Sequence, residues 1–221
     1  MSLQGKNVLI TGASRGLGYA MAEALGQQGA HIIALARTKG GLTQLDDSLK
    51  KGTGRGATLI PFDLDQPDVA FAQLGMTLFE RFKTLDMLVM NAATMGPLSP
   101  VAQSMEKDVQ KVMAVNFTAN TRLLRHLDPV LRAAGTPKVV FVTCSETSRK
   151  YNAYWGAYAA SKKALEQLAL SYREENEKAG FDVQMFDPGP LPTQLRRNAY
   201  PGEDQANMPP VSEAAKKVAS L

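Results

Sequence analysis

The sequence predicts a single α/β domain in which a doubly wound parallel sheet of about six strands carries helices on both faces. Short runs of β-branched and apolar residues alternate with longer stretches of helical periodicity along all 221 residues. The length suits one domain of the larger sort, and neither a repeat nor a linker divides the chain. Right-handed crossovers between successive strands then give the doubly wound arrangement.

Six apolar runs have the length and composition of buried strands, and helical stretches separate them. Because these runs are apolar throughout, we expect parallel strands that are covered on both faces. The predicted strands are Asn7–Thr11, His31–Ala36, Ala57–Phe62, Asp86–Met90, Lys138–Thr143 and Asp182–Phe186. The predicted helices are Gly16–Gln28, Gly41–Lys50, Asp68–Phe82, Ser104–Ala134, Tyr154–Lys178 and a short closing helix at about Ser212–Leu221.

A proline-rich segment, residues 187–211, interrupts this alternation before the last helix. Six of the twelve prolines fall between Pro188 and Pro210. Proline lacks a backbone N–H and resists helix interiors, so we expect a structured loop or a mobile flap here. Within the single domain, 1–221, we assign this segment to the substrate loop.

Composition excludes several functional classes. Hydrophobic residues make up 44% and charged residues 21% of the chain, as in ordinary globular proteins. The net charge of +4 comes from scattered Lys and Arg without a nucleic-acid-binding motif, so we expect no nucleic-acid partner. No apolar run approaches the roughly 18 residues of a membrane helix, so we expect no membrane partner. Neither His31 nor His126 has partners at metal-ligand spacing, and no metal site is predicted.

Two features favour the cytoplasm. Cys144 is the single cysteine, so no internal disulfide can form, which suits a reducing compartment. The segment Met1–Lys6 leads directly into the first strand and leaves no room for a signal peptide.

Residues with chemical potential follow the predicted strands at their carboxyl ends, the edge at which open α/β sheets bind ligands. In strand order they are Gly12–Gly18, Arg37, Asp63, Asn91–Pro97, Ser145 and Pro188–Thr193.

The first of these is the glycine loop Gly12-x-x-x-Gly16-x-Gly18, which follows a strand and opens a helix. Glycine permits positive φ and close approach of the backbone to a phosphate. The helix N-terminus adds free N–H groups and a favourable dipole for an anion. The loop therefore predicts a dinucleotide site; the alternative is a tight strand-to-helix turn without a ligand.

A second motif, Tyr158-x-x-x-Lys162, follows Ser145 by thirteen residues. Residues four apart share one helix face. A phenol with a pKa near 10 exchanges protons poorly at neutral pH, and a nearby ammonium lowers that value. The pair therefore predicts acid–base chemistry on an oxygen atom. The alternative is a packed aromatic side chain beside a lysine that extends to solvent.

Together the motifs Thr-Gly-x-x-x-Gly-x-Gly and Tyr-x-x-x-Lys resemble those of the short-chain dehydrogenase/reductase family. The resemblance runs from Lys6 to about Leu221 in the family's motif order. It implies a Rossmann-type domain and hydride transfer between a nicotinamide cofactor and a carbonyl or alcohol. Two positions depart from the family's Asn-Asn-Ala-Gly segment, because Met90 replaces the first Asn and Ala93 replaces the Gly.

The cofactor is expected to be NADP(H) rather than NAD(H). The second strand ends in Ala36-Arg37-Thr38 without the acidic residue that would bind a free ribose hydroxyl, and Arg15 lies in the glycine loop. Two guanidinium groups suit a 2′-phosphate. Alternatively, Arg37 is a solvated surface residue and Arg15 stacks on adenine. The expected cofactor contacts are Gly12, Ser14, Arg15, Gly16, Leu17, Gly18, Arg37, Asp63, Leu64, Asn91, Ala92, Tyr158, Lys162, Pro188, Gly189 and Thr193.

The resemblance also implies roles for individual residues. Tyr158 would protonate the substrate oxygen, Ser145 would donate a hydrogen bond to it, and Lys162 would lower the pKa of the phenol and hold the ribose. Asn116 would order a water molecule that links Lys162 to solvent; alternatively it is a helix asparagine that bonds backbone. Asp63 would bind the adenine amino group; alternatively it is an ordinary strand-end cap. Thr193 would bind the carboxamide or diphosphate; alternatively Pro188–Thr193 is a plain proline turn.

The candidate substrate pocket is apolar and aromatic with one acid, which predicts a hydrophobic carbonyl or alcohol. Its residues are Thr94–Leu98, Glu146, Tyr151, Tyr154, Trp155 and Leu191. The resemblance places a homodimer interface on the helices Ser104–Ala134 and Tyr154–Lys178. The chain ends where the family usually adds a seventh strand and a tail, so we expect a dimer rather than a tetramer, with a relatively open site; alternatively, the tail is missing from this sequence. Two other functional classes are a non-catalytic dinucleotide sensor and a sugar-nucleotide epimerase or dehydratase with tightly held NAD.

Overall fold

The computed structural model of the protein describes residues 3–148 and 152–221. Within these residues, six parallel strands form one sheet in the order β3-β2-β1-β4-β5-β6. Each predicted strand is confirmed to within one residue at either end. The strands are β1 (Asn7–Thr11), β2 (His31–Ala36), β3 (Thr58–Pro61), β4 (Met87–Met90), β5 (Lys138–Val142) and β6 (Asp182–Phe186).

Helices cover both faces of the sheet, as predicted. Adjacent residues of β1 point into opposite layers. Leu9 joins the core under the helices Asp68–Phe82, Ala119–Arg132 and Gly156–Asn176, and Val8 joins the core under the helices Gly16–Gln27, Lys39–Thr53 and Val211–Ser220. Among the described residues, no helix combines the length and the apolar character that crossing a bilayer requires. The helices are α1 (Gly16–Gln27), α2 (Lys39–Thr53), α3 (Asp68–Phe82), α4 (Glu106–Met113), α5 (Ala119–Arg132), α6 (Ser145–Ser148), α7 (Gly156–Asn176), α8 (Gln194–Ala199) and α9 (Val211–Ser220).

The order of the strands reverses between β1 and β4, which opens a crevice at their carboxyl ends. Thr11 at the end of β1 bridges this point. Its hydroxyl accepts hydrogen bonds from the backbone N–H groups of Asn91 (2.9 Å) and Ala92 (3.0 Å), and its carbonyl accepts one from Asn91 Nδ2 (2.9 Å). The chain segments that follow β1 and β4 are thereby held side by side.

The single long helix expected over Ser104–Ala134 is not continuous. A short 3₁₀ turn, Val101–Gln103, precedes α4. A π-helical turn, Ala114–Thr118, then separates α4 from α5. Such a turn inserts an extra residue and re-aims the side chains that follow, which helical periodicity alone does not reveal. Asn116 lies within this turn, and its contacts are described below.

The proline-rich segment is also more ordered than a loop. It contains α8, and the side chain of Thr193 caps this helix by accepting a hydrogen bond from the N–H of Arg196 (3.3 Å). The sequence pattern missed this helix because it has only six residues between prolines. Helix α6 was missed because its four residues are too few to show helical periodicity.

A substitution at Gly18 tests how closely the chain segments that follow β1 and β4 approach each other. A Cβ at Gly18 would lie 2.6 Å from Asn91 Nδ2 and closer still to the carbonyl oxygen of Gly12. We expect Gly18→Ala to lower the free energy of unfolding by about 1–3 kcal/mol, since the buried backbone must shift to admit the methyl group. Chemical denaturation of both proteins measures this change.

Gly52 is the matched control, because it lies inside α2 with no atom near the added methyl. Gly52→Ala should raise the free energy of unfolding by about 0.4–1 kcal/mol. Equal effects of the two substitutions would contradict this account of Gly18.

Candidate active site

One cleft of about 790 Å³ lies at the carboxyl edge of the sheet. It brings together the predicted cofactor residues except Gly189, whose backbone N–H instead bonds Asp187. The members in the cleft wall are Gly12, Ser14, Arg15, Gly16, Leu17, Gly18, Arg37, Asp63, Leu64, Asn91, Ala92, Tyr158, Lys162, Pro188 and Thr193. Their contacts to a cofactor stay a prediction.

The glycine loop has a geometry that side chains would block. Gly12 and Gly16 have positive φ (+70° and +57°), and a Cβ at Gly12 would meet Ala92 Cα and Asn91 Nδ2 at 3.0 Å. Helix α1 begins at Gly16, so its first N–H groups face the cleft without intrahelical acceptors. The loop can therefore hold an anionic group.

The two arginines expected at a 2′-phosphate both line the cleft and are exposed. Asp63 also lines it, and Asp63 Oδ1 accepts a hydrogen bond from the N–H of Asp65 (3.1 Å). This hydrogen bond forms an Asx turn after β3, so Asp63 stabilises the local backbone as well as lining the cleft.

Tyr158 and Lys162 are buried on the face of α7 that meets the sheet, with 6% and 3% of their surfaces exposed. Lys162 Nζ donates a hydrogen bond to the carbonyl oxygen of Val142 at the end of β5 (2.9 Å) and lies 5.8 Å from the centre of the Tyr158 ring. The helix thus places an ammonium group directly beside the phenol.

The expected lowering of the phenol's pKa is wrong for this state of the protein. Burial raises the pKa of Tyr158 above its ordinary value, and the neighbouring Cys144 and Asp187 raise it further. Burial also lowers the pKa of Lys162 to about 8. A low-dielectric environment disfavours the charged forms of both groups.

Ser145 is held by a residue that sequence reasoning missed. Its hydroxyl and its backbone N–H (2.9 Å) both donate hydrogen bonds to Asp187 Oδ2. The second carboxylate oxygen of Asp187 accepts the N–H of Gly189 (2.9 Å). Asp187 directly follows β6, so the rule that placed the other candidates at strand ends applies to it as well.

Asn116 is 1% exposed, and its side chain is fully engaged. Its Oδ1 accepts the N–H of Thr94 (2.8 Å), and its Nδ2 donates to the Thr94 carbonyl (2.8 Å) and to Ser161 Oγ (2.9 Å). The side chain therefore ties the loop after β4 to α7. The alternative that Asn116 bonds backbone agrees with these contacts, and its expected role with a water molecule stays a prediction.

The candidate substrate residues lie in two adjoining places. Thr94, Met95, Gly96 and Leu191 line the cleft, and Met95 and Leu98 pack against a cluster that contains Trp155. The Trp155 ring lies 5.7 Å from that of Tyr158 and 5.6 Å from that of Tyr200. Tyr154 is exposed, and Tyr151 lies outside the described residues.

Glu146, the residue after Ser145, forms an ion pair that the sequence did not indicate. Arg196 Nη1 contacts Glu146 Oε2 at 2.9 Å, and the same guanidinium binds both carboxylate oxygens of Glu203 (2.7 and 2.6 Å). It also lies 4.0 Å from the centre of the Tyr200 ring. The ion pair between Arg196 and Glu146 thus holds the proline-rich segment beside Ser145.

Two further cations in the cleft wall were not predicted. Lys111 of α4 and Arg197 of α8 both line it. Over the residues that the structure describes, no group of three or more His, Cys, Asp or Glu side chains is placed to hold a metal ion.

Comparison with known proteins agrees with this arrangement. The family model described as short chain dehydrogenase matches residues 6–204. The uncharacterized oxidoreductase YciK of Escherichia coli K12 is 32% identical, and the match covers 91% of this chain and 80% of that protein.

Solved structures give the same result. A structure from Pseudomonas syringae assigned to the short-chain dehydrogenases has a TM-score of 0.95 and 32% identity, and the match covers 100% of this chain and 90% of that one. Another, from Escherichia coli CFT073, is complexed with NADPH; its TM-score is 0.95 at 29% identity, with 100% and 92% of the two chains covered.

The buried ammonium of Lys162 predicts a pH dependence of stability. Its pKa is lower in the folded protein (about 8) than its ordinary value of 10.5. Between these values the unfolded chain binds the extra proton, so this group makes stability rise with pH from about 8 to 10.5. Lys162→Met should remove that rise, which denaturation of both proteins from pH 6 to 11 measures.

Lys163 provides the control, since it is the adjacent lysine and is largely exposed. The stability of Lys163→Met should follow the wild-type pH curve in shape. A Lys162→Met curve parallel to the wild type would show that the ammonium is not destabilised by burial.

Proposed function

The chain belongs to the short-chain dehydrogenase family, and on that premise we propose that it is an NADP(H)-dependent oxidoreductase that interconverts a carbonyl and an alcohol. The observation that carries this proposal is the joint placement of its two motifs. Tyr158 and Lys162 line the same cleft as the glycine loop of Gly12, Gly16 and Gly18. A proton donor and a dinucleotide cradle thus share one space.

The residues present fit a dinucleotide. Side chains at Gly12 and Gly18 would fill the space beside Asn91, and the N-terminus of α1 faces the cleft. When bound, the nicotinamide supplies the hydride chemistry. Gly12–Gly18 would hold the anionic diphosphate, and the turn from Pro188 to Thr193 would hold the nicotinamide end.

Side chains of the protein itself would transfer the proton to and from the substrate oxygen. Tyr158 gives its proton to the oxygen of a carbonyl during reduction and takes a proton from the alcohol in the reverse direction. Lys162 lies beside the phenol, and burial lowers the pKa of its ammonium to about 8, so this group gives up a proton more readily than an exposed lysine. Ser145 contacts the same oxygen and fixes its position.

The choice of NADP(H) rests on charge. Arg15 and Arg37 line one end of the cleft, and no acidic side chain follows Ala36 at the end of β2. Guanidinium groups bind phosphate through paired hydrogen bonds. The NADPH complex of the similar Escherichia coli CFT073 protein supports this choice.

The proposal extends to the substrate, the cellular location and the oligomeric state. The aromatic and apolar side chains of Met95, Leu191 and Trp155 support a hydrophobic substrate. The single cysteine supports a cytoplasmic location. By resemblance to the family, α4, α5 and α7 would form the interface of a homodimer.

Tyr158→Phe tests the assigned chemistry. The change removes the proton donor and leaves the ring, so turnover should fall by roughly 10²- to 10⁴-fold while the dissociation constant for NADPH changes little. Steady-state assays with NADPH and a panel of hydrophobic aldehydes and ketones, together with fluorescence titration of NADPH, measure both quantities.

Tyr172→Phe is the control, because Tyr172 lies on the same helix but contacts Asp128 instead of the cleft. It should retain wild-type turnover. Tight NADPH binding without turnover of any substrate would overturn the oxidoreductase proposal and favour a dinucleotide sensor.

Arg37→Asp tests the cofactor assignment. An acid at this position repels a 2′-phosphate and can bind a free ribose hydroxyl, so the preference for NADPH over NADH should fall by about 100-fold or more, the size of a lost charge-assisted bond plus a like-charge repulsion. The ratio of kcat/KM values for the two cofactors measures it. Arg55→Asp, at the opposite edge of the sheet, should leave the ratio unchanged; an unchanged ratio in Arg37→Asp would remove Arg37 from the phosphate site.

A further inference from the structure

Helix α8 of the proline-rich segment connects two parts of the cleft. Its cap residue, Thr193, lies against the glycine loop, because a Cβ at Gly16 would meet Thr193 Cγ2 at 3.5 Å. Its last residue, Ala199, packs in the cluster that contains Trp155 and Tyr158. The helix therefore runs from the proposed diphosphate site toward the proposed proton donor.

Two adjacent arginines of α8 have opposite surroundings. Arg196 is largely buried and contacts carboxylate oxygens of Glu146 and Glu203 at 2.6 to 2.9 Å. Arg197 is exposed and lines the cleft, and no carboxylate of the described residues forms an ion pair with it. The ion pairs of Arg196 hold α8 in place, with Arg197 on the side of the cleft.

Neutral amide groups contact the guanidinium of Arg197. Its Nε lies 3.4 Å from Gln194 Oε1, and its Nη1 lies 3.3 Å from Gln205 Oε1. These contacts orient the guanidinium without neutralising its charge, as a carboxylate would. Such a group is suited to bind an anionic oxygen group through paired, charge-assisted hydrogen bonds.

The cleft wall offers an anion little repulsion, since Asp63 is the only acid among its described residues. The other cations of the wall already have partners or roles. Lys111 is engaged in an ion pair, and the proposed function assigns Arg15 and Arg37 to the 2′-phosphate of the cofactor. Arg197 is the described arginine of the wall that this assignment leaves without a ligand.

The position of Arg197 along α8 favours the substrate as the source of the anion. With a rise of about 1.5 Å per residue, Arg197 lies about 3 Å along the axis from Ala199 and about 6 Å from Thr193. It is therefore nearer to the end of α8 that packs beside Tyr158 than to the end that lies against the glycine loop.

We propose that Arg197 is a specificity-determining residue that binds an anionic group of the substrate, a carboxylate or a phosphate. This rests on the proposed function and narrows its substrate class. The substrate combines an apolar part, which matches Met95 and Leu191 in the cleft wall, with one anionic group held by α8.

Arg197→Met tests the proposal, because it removes the charge and keeps an unbranched side chain. The panel of aldehydes and ketones above is extended by anionic analogues, such as benzaldehyde with its para-carboxylate and glyceraldehyde with its phosphate ester. The ratio of kcat/KM between each anionic compound and its neutral parent measures the preference. We expect Arg197→Met to lower this ratio by about tenfold or more, the size of one hydrogen bond between charged groups.

Two further variants complete the test. Arg197→Lys keeps the charge without the paired hydrogen bonds, so its ratio should lie between those of the wild type and Arg197→Met. Arg81→Met is the matched control, since it makes the same change of side chain and net charge at an exposed arginine in the last turn of α3, near His31 at the amino end of β2. Its ratio should equal that of the wild type.

The dissociation constant of NADPH, from fluorescence titration, distinguishes the substrate from the cofactor as the source of the anion. It should be unchanged in Arg197→Met. A rise of this constant with an unchanged ratio assigns Arg197 to the diphosphate of the cofactor and overturns the substrate role. An unchanged ratio with an unchanged constant, or an equal fall of kcat/KM for neutral and anionic compounds, also overturns it and leaves the proposed function standing. Absence of turnover by the wild type overturns the proposed function and this role with it.

Discussion

The buried ammonium of Lys162 is the contact on which the site depends. A charged or polar group taken out of water is costly unless it is hydrogen-bonded, and Lys162 finds its partner in the carbonyl of Val142, the last residue of β5. The bond fixes α7 against the carboxyl end of the sheet at the point where the cleft opens. Because Tyr158 lies one turn earlier on the same face of α7, its position follows from that of Lys162.

Carboxylates then attach the rest of the site to this frame. Asp187 joins the end of β6 to Ser145, and Glu146 joins the next residue to Arg196 of α8. Adjacent residues of the short helix α6 are thus held by the first residue of the proline-rich segment and by its helix α8. This segment forms no strand of the sheet, so side-chain hydrogen bonds and ion pairs hold it in place, whereas backbone hydrogen bonds hold the strands.

The fold could be predicted from the sequence because it depends on repeated signals. Apolar runs and the glycine loop specify strands and a strand-to-helix turn locally, and each observed strand begins and ends within one residue of its expected position. The contacts of Asp187 with Ser145, Arg196 with Glu146 and Asn116 with Thr94 could not be predicted, because each joins residues 22 to 50 positions apart. The π-helical turn that contains Asn116 has no periodic signature of its own.

The pKa of Tyr158 shows why motif spacing fixes proximity but not protonation. The spacing to Lys162 correctly indicates a shared face, yet burial acts on both groups and favours their neutral forms. A neutral phenol offers a hydrogen to an oxygen atom that enters the cleft, which is the protonation state that reduction of a carbonyl requires of Tyr158.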